Sequence, residues 1–145
     1  MTTDPSSAAN VAYLLARSAR LWPALPALAV GAQVLRDYAS FASRVARQAA
    51  AMRASGLERG DRVALCAHNH PAYLEAMFAC WWAGLVAVPV NAKLHVQELA
   101  YILSDSGARW AFVDAAWEAA VSTAAMRAAR RSARRTCCGP CERPE

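Results

Sequence analysis

The residues able to do chemistry fall in three places. Cys137, Cys138 and Cys141 crowd the last nine positions, and Cys138-Gly139-Pro140-Cys141 spells a Cys-x-x-Cys redox pattern. That chemistry needs the first thiolate at a helix N-terminus. Only Glu142, Arg143, Pro144 and Glu145 follow, so no such helix is expected. Three tail cysteines also fall one short of a tetrahedral zinc set. His68 and His70 flank Asn69 and could pair on a metal, but no Cys or carboxylate stands at ligand spacing, so they read as loop residues. Arg127–Arg135 (RAARRSARR) could meet nucleic acid or anionic lipid. It reads as a solvated, disordered tail, and no nucleic-acid partner is expected.

Nucleotide chemistry is the next class to test. Gripping a triphosphate takes a glycine-lined nest of backbone amides and a positioned cation. The 145 residues hold six glycines, at 31, 56, 60, 84, 107 and 139, and no two are closer than four residues. There is no Gly-x-Gly and no Gly-Lys, and the only lysine is Lys93. The formal net charge of +5 is concentrated at one end. Residues 1–126 carry ten Lys/Arg against nine Asp/Glu; residues 127–145 carry six Arg against two Glu. The basic balance therefore says nothing about a folded part. Five cysteines at irregular spacing imply no disulfide framework. Residues 1–7 lack the layout of a secretory signal, so a cytoplasmic, reducing compartment is the default.

The elements that would position any site follow from periodicity. Ala27–Val30 and Gln33–Leu35 read as a small hairpin turning at Gly31-Ala32. Asp37 precedes a helix with Tyr38, Phe41, Val45, Ala49 and Met52 on one face, stopped at Gly56. Arg62–Ala67 is a buried strand, and Asn69 is the expected cap of a helix starting at Pro71 and running to Gly84. That helix is apolar round most of its circumference and should be buried on more than one side. Leu85–Val90 is a second strand, with Pro89 near its end or at an edge. His95–Ser104 is a third helix, stopped at Gly107, and Arg109–Val113 a third strand. Ala72–Val90 has nearly the length of a membrane span, but Gly84 and Pro89 interrupt it and flanking charge gives no orientation. Stable membrane insertion is not expected.

Strands alternating with helices imply parallel strands joined by right-handed crossovers. The expected fold is α/β: a partial doubly wound parallel sheet with flanking helices. Residues 1–9 read as disordered, 10–114 as the folded part, and 115–145 as helix-like sequence passing into the disordered basic, cysteine-containing tail. With 36 alanines and only 28 Leu, Ile, Val and Phe, the core must rely on close packing of small side chains.

Four segments carry a resemblance. They are Gly56-Leu57-Glu58-Arg59-Gly60-Asp61-Arg62-Val63-Ala64, then Asn69-His70-Pro71, then Ala83–Asn91 (AGLVAVPVN), then Glu98–Ala108 (ELAYILSDSGA). In this order and spacing they resemble the N-terminal portion of the adenylate-forming (AMP-dependent synthetase/ligase) superfamily, acyl-CoA synthetases in particular. The match covers roughly residues 10–114. His95 stands where family members often place Ser or Thr, which keeps the Glu98 side of a capping box and loses the hydroxyl.

The resemblance implies ATP, Mg²⁺ and coenzyme A as the full-length family's reactants. A carboxylate attacks the α-phosphate of ATP to give an acyl-adenylate, and coenzyme A then displaces AMP. The family's Ser/Thr-Gly-rich loop ending Pro-Lys-Gly, its later nucleotide motifs and its catalytic lysine have no counterpart here. No catalytic, cofactor-binding or metal-binding residue is carried over, and no cofactor is expected on this fragment. Gly60-Asp61, Asn69 and Pro89-Val90-Asn91 read as scaffold. The expectation is an inactive fragment of an acyl-CoA ligase. One alternative is a non-catalytic module pairing with a separately encoded remainder; another is a membrane-associated protein using Ala72–Val90. Alone, it is expected to associate or aggregate. The Arg-, Ala- and Cys-rich ending is also what a shifted reading frame in GC-rich DNA would give after about Asp114.

Overall fold

The computed structural model describes residues 10–91 and 93–136, with side chains through Arg127. The order is α1 (Ala12–Leu21), β1 (Pro26–Val30), β2 (Gln33–Asp37), α2 (Tyr38–Ala54), β3 (Arg62–Cys66), α3 (Pro71–Trp82), β4 (Val86–Pro89), α4 (Val96–Ser106), β5 (Trp110–Val113) and α5 (Glu118–Thr136). The strands form an antiparallel hairpin, β1–β2, and a parallel sheet in the order β4–β3–β5.

The alternation of β3 explains the two layers. Val63 and Leu65 point into a cluster with Phe41, Val45 and Met52 of α2 and with Ala76, Ala79 and Cys80 of α3. Ala64 and Cys66 point the other way, into a cluster with Leu99 of α4, Trp117 and Ala124. A strand buried on both faces has no polar side to offer, which is why Val63–Cys66 reads as a continuous apolar run. The strand register pairs Leu65 with Phe112 and Ala64 with Ala111, so β5 keeps the same two-sidedness. The expected α/β sheet with flanking helices is therefore what forms.

Local chemistry fixes the element ends. The Asp37 carboxylate accepts the Ser40 N–H at 2.7 Å and opens α2. Asp61 accepts the Glu58 N–H at 2.8 Å and the Arg109 guanidinium at 2.7 Å, and so ties together the amino ends of β3 and β5. Gly107 closes α4 at φ 60°, the left-handed region that favours glycine. Pro89 ends β4, an edge strand, where its missing donor does no harm.

Several readings need correcting. Helix α1 was not foreseen at all. Asn69 does not cap α3; His70 does, its ring Nδ1 accepting the Ala72 N–H at 3.2 Å. Within α3 the most buried residues are Glu75, Ala76, Ala79 and Cys80, while Trp81 and Trp82 are only half-buried, because the backbone packs closest where side chains are small. The break expected at Gly84 is there: α3 ends at Trp82, a turn follows, and β4 begins at Val86. No helix among the described residues is long and apolar enough to cross a membrane. The helical backbone runs through Arg127–Arg135 to Thr136, where a disordered tail was expected. Cys137, Cys138 and Cys141 lie outside the described residues.

Candidate functional site at the carboxyl end of the sheet

From β3 the chain crosses through α3 to β4 on one side, then through α4 back past β3 to β5 on the other. In open α/β sheets the crevice beyond the strand ends at such a reversal is where ligands collect. Here it lies beyond Cys66 of β3 and Val113 of β5.

Three polar groups meet there. The His68 backbone N–H donates to Asp114 Oδ2 at 2.9 Å, and the ring Nδ1 lies 2.8 Å from the same oxygen. Asp114 Oδ1 accepts the Trp117 N–H at 3.1 Å. Asp114 thus joins the β3 loop to the turn entering α5. The His68 backbone N–H, then its ring bond, hold the Asp114 carboxyl below its ordinary value against a weaker opposing effect of burial. His70 turns instead to its own helix. Beside these residues a cavity of about 140 Å³ is floored by Leu65, Tyr73, Ala76 and Phe112.

The sequence reading found no carboxylate near His68 at ligand spacing; folding brings Asp114 to it from 46 positions away. Only the strand order could have revealed the pair. Even so, the described residues contain no grouping of three His, Cys, Asp or Glu that could hold a metal. A histidine–carboxylate pair activates a nucleophile only when one lies within hydrogen-bond reach of the ring. The nearby Cys66 thiol is pushed up to about 11 by burial, and that of Cys80 to about 12, so both stay protonated near neutrality. The pair's visible work is to latch two loops.

Anion binding is poorly served too. The first amides of α2 are taken: those of Tyr38 and Ala39 donate to Leu25 O and Pro23 O, and that of Ser40 to Asp37. Helix α3 starts on Pro71, which has no N–H, and its next amide serves His70. At α4 the Glu98 carboxylate takes the His95 N–H at 2.9 Å. Lys93 sits in the turn after β4, its N–H bonded to Asn91 Oδ1 at 2.9 Å.

A further polar feature went unread. Glu75, the one charged residue within Ala72–Val90, is buried and holds Arg44 Nε at 2.7 Å, with Arg36 Nε at 3.4 Å. It clamps β2, α2 and α3 together.

Comparison with known proteins agrees with this scaffold. A feruloyl-CoA synthase from Amycolatopsis sp is 51% identical over 92 residues, 63% of this chain and 18% of that protein. The long-chain-fatty-acid–CoA ligase FadD13 of Mycobacterium tuberculosis is 34% identical over 101 residues, 69% of this chain and 20% of that one. The crystal structure of the N-terminal domain of FACL13 from Mycobacterium tuberculosis superposes with a TM-score of 0.72 at 31% identity, covering 78% of this chain and 29% of the other. The chain thus spans about a fifth of the curated relatives it matches. The profile of the AMP-binding enzyme family matches residues 15–140, well past Asp114, where the resemblance read from the sequence stopped. On that match the chain belongs to the AMP-binding enzyme family.

Proposed function

We propose that these residues form the opening α/β layer of an ATP-dependent, AMP-forming acyl-CoA synthetase, and that by themselves they neither hold ATP nor activate a carboxylate. The observation that carries this is a mismatch. The chain has the family's sheet, yet its sequence offers no paired glycines and one lysine. Bringing a carboxylate up to an α-phosphate joins two anions, and that requires a preorganised cationic cradle. ATP, Mg²⁺ and coenzyme A would be the whole enzyme's reactants, bound by residues beyond this segment.

The acyl group is not selected here. Relatives that share this segment are named for feruloyl, 4-hydroxybutyrate and long-chain fatty acid substrates. A segment common to ligases of aromatic and aliphatic acids serves as scaffold to all of them. A cytoplasmic setting fits a CoA-dependent ligase. The test is ATP–pyrophosphate exchange by the purified chain, alone and co-expressed with a polypeptide carrying the family's remaining motifs. Exchange only in the pair supports the proposal; exchange by the lone chain overturns it.

A second reading, a module that pairs with a separately encoded remainder, is favoured by the outer edges of β4 and β5, which have no partner strand among the described residues. It predicts a stable complex whether or not exchange is restored.

A further inference from the structure

We infer that the outer flank of α1 and the loop after it form a peripheral contact surface for an anionic lipid bilayer. Leu14, Leu21, Trp22 and Leu25 enter the headgroup boundary, and Arg17 and Arg20 meet the lipid phosphates. This surface goes beyond the scaffold reading above and uses a different set of residues.

Helix α1 buries only one face. Ala12 and Leu15 turn inward, where α1 packs on α2 and α3. Those two helices cover the sheet, so the other face of α1 looks away from it. Leu14, Arg17 and Leu21 recur at helical steps and share that outer flank. Leu14 is 60% exposed. The chain then runs through Leu21–Pro26 (LWPALP), exposed at every position and without a charged side chain. A contiguous apolar surface of this kind marks a place of contact.

Charge selects the partner. From Asn10 to Leu35 there are two arginines, Arg17 and Arg20, and no Asp or Glu. Neither is ion-paired among the described residues. Arg17 stands 5.9 Å from the centre of the Trp22 ring, placing cation and indole together as they occur at membrane–water interfaces. An apolar flank with a basic margin and a Trp suits a helix lying in the plane of an anionic bilayer.

The backbone of the loop points to lipid over a wet protein partner. Peptide groups entering an apolar phase must be satisfied within the chain. The Trp22 N–H donates to Ser18 O and the Leu25 N–H to Trp22 O, while Pro23 and Pro26 have no N–H. Pro23 O and Leu25 O accept from Ala39 and Tyr38. Of the amides from Trp22 to Pro26, only that of Ala24 lacks a partner among the described residues.

The test is flotation of the purified chain with vesicles of phosphatidylcholine alone and of phosphatidylcholine with phosphatidylglycerol in equal parts; flotation separates bound chain from aggregate. The chain should float with the anionic vesicles only, and about 1 M salt, where the Debye length is about 3 Å, should release much of it. Arg17→Gln with Arg20→Gln should weaken binding about tenfold or more, and Trp22→Ser with Leu25→Ser about tenfold. Arg47→Gln with Arg53→Gln, an equal charge loss at exposed positions of α2, should leave it unchanged. Hydrogen exchange on the unmodified chain should slow at Ala12–Leu25 when anionic vesicles are added, which answers the question even if a variant fails to fold. No flotation, or equal flotation with phosphatidylcholine alone, overturns the inference. Equal weakening by the α2 pair, or protection elsewhere, overturns the location. A dimer on size exclusion that Trp22→Ser with Leu25→Ser abolishes, without flotation, makes a second copy the occupant and overturns the lipid.

Discussion

Replacing Arg44 by alanine should cost more than neutralising the carboxylate it holds. Glu75 is almost sealed, with 3% of its side chain exposed, whereas Arg44 and Arg36 keep 39% and 34% in water. The three members are therefore unequal. Arg44→Ala leaves a buried carboxylate facing only Arg36, whose Nε sits at 3.4 Å and makes no hydrogen bond to it. Breaking a buried pair in this direction costs about 3–5 kcal/mol, and some approach by Arg36 places this case near 3. Glu75→Gln instead leaves two arginine side chains that keep part of their surface in water, so the loss is about one charge-assisted hydrogen bond, roughly 1.5–3 kcal/mol at most, and Gln can still accept from Arg44. Pulse proteolysis across a urea series needs little protein and reads the midpoint directly. With a slope of about 1–3 kcal/mol per molar, Arg44→Ala should lower the midpoint by about 1 M or more, and Glu75→Gln by clearly less. Equal effects, or a larger loss for Glu75→Gln, would show that water enters the clamp and that the asymmetry argument is wrong.

Further outcomes follow from other sites. Asp37, Asp61 and Asp114 all have carboxyls held below the ordinary 3.8 by hydrogen bonds from Ser40, Glu58 and His68 respectively. Folded values below unfolded ones give stability that is complete above about pH 4 and lost as pH falls through the folded values; urea midpoints should be flat from these groups at pH 5–7 and drop below pH 4, and Asp114→Asn should flatten part of that drop. A midpoint that rises in acid contradicts this. Gly107→Ala should cost about 1–2 kcal/mol for the left-handed backbone, and more than Gly31→Ala. A Cβ at 107 would lie 2.8 Å from Arg62 Nη2 and push on the arginine that donates to Ser106 O, whereas position 31 has open space; the reverse order in urea melts would refute it. Iodoacetamide at pH 7.5 should leave Cys66 and Cys80 unmodified in the native chain and alkylate both in urea, read by peptide mapping; native labelling would mean the core opens readily.

Much of the sheet was legible because its strands are short unbroken apolar runs and its helices α2 and α4 keep a clean period. The hairpin, the start of α2 after Asp37, Gly107 as a stop and Pro89 at an edge all rest on neighbours a few positions away. Helix α1 escaped because Val11, Leu14 and Leu21 are apolar yet exposed, which blurs its face, and because Asn10, whose Oδ1 accepts the Ala12 N–H, also donates to Trp81 O across the fold. The cap of α3 was misplaced by one residue since Asn outranks His on intrinsic preference, while the chain turns one position later. Glu75 with Arg44, and His68 with Asp114, span 31 and 46 positions. Such pairs depend on which elements become neighbours, and periodicity carries no such information. The packing of α5 on α4 through Trp117 and Ala124 was hidden by alanine, which leaves little contrast between buried and exposed positions.

On the proposed function, this segment frames a nucleotide-activating enzyme without itself gripping the nucleotide. Isothermal titration of the purified chain with Mg·ATP measures that most directly. No saturable heat is expected up to millimolar ATP. Stoichiometric binding that discriminates ATP from GTP would contradict it.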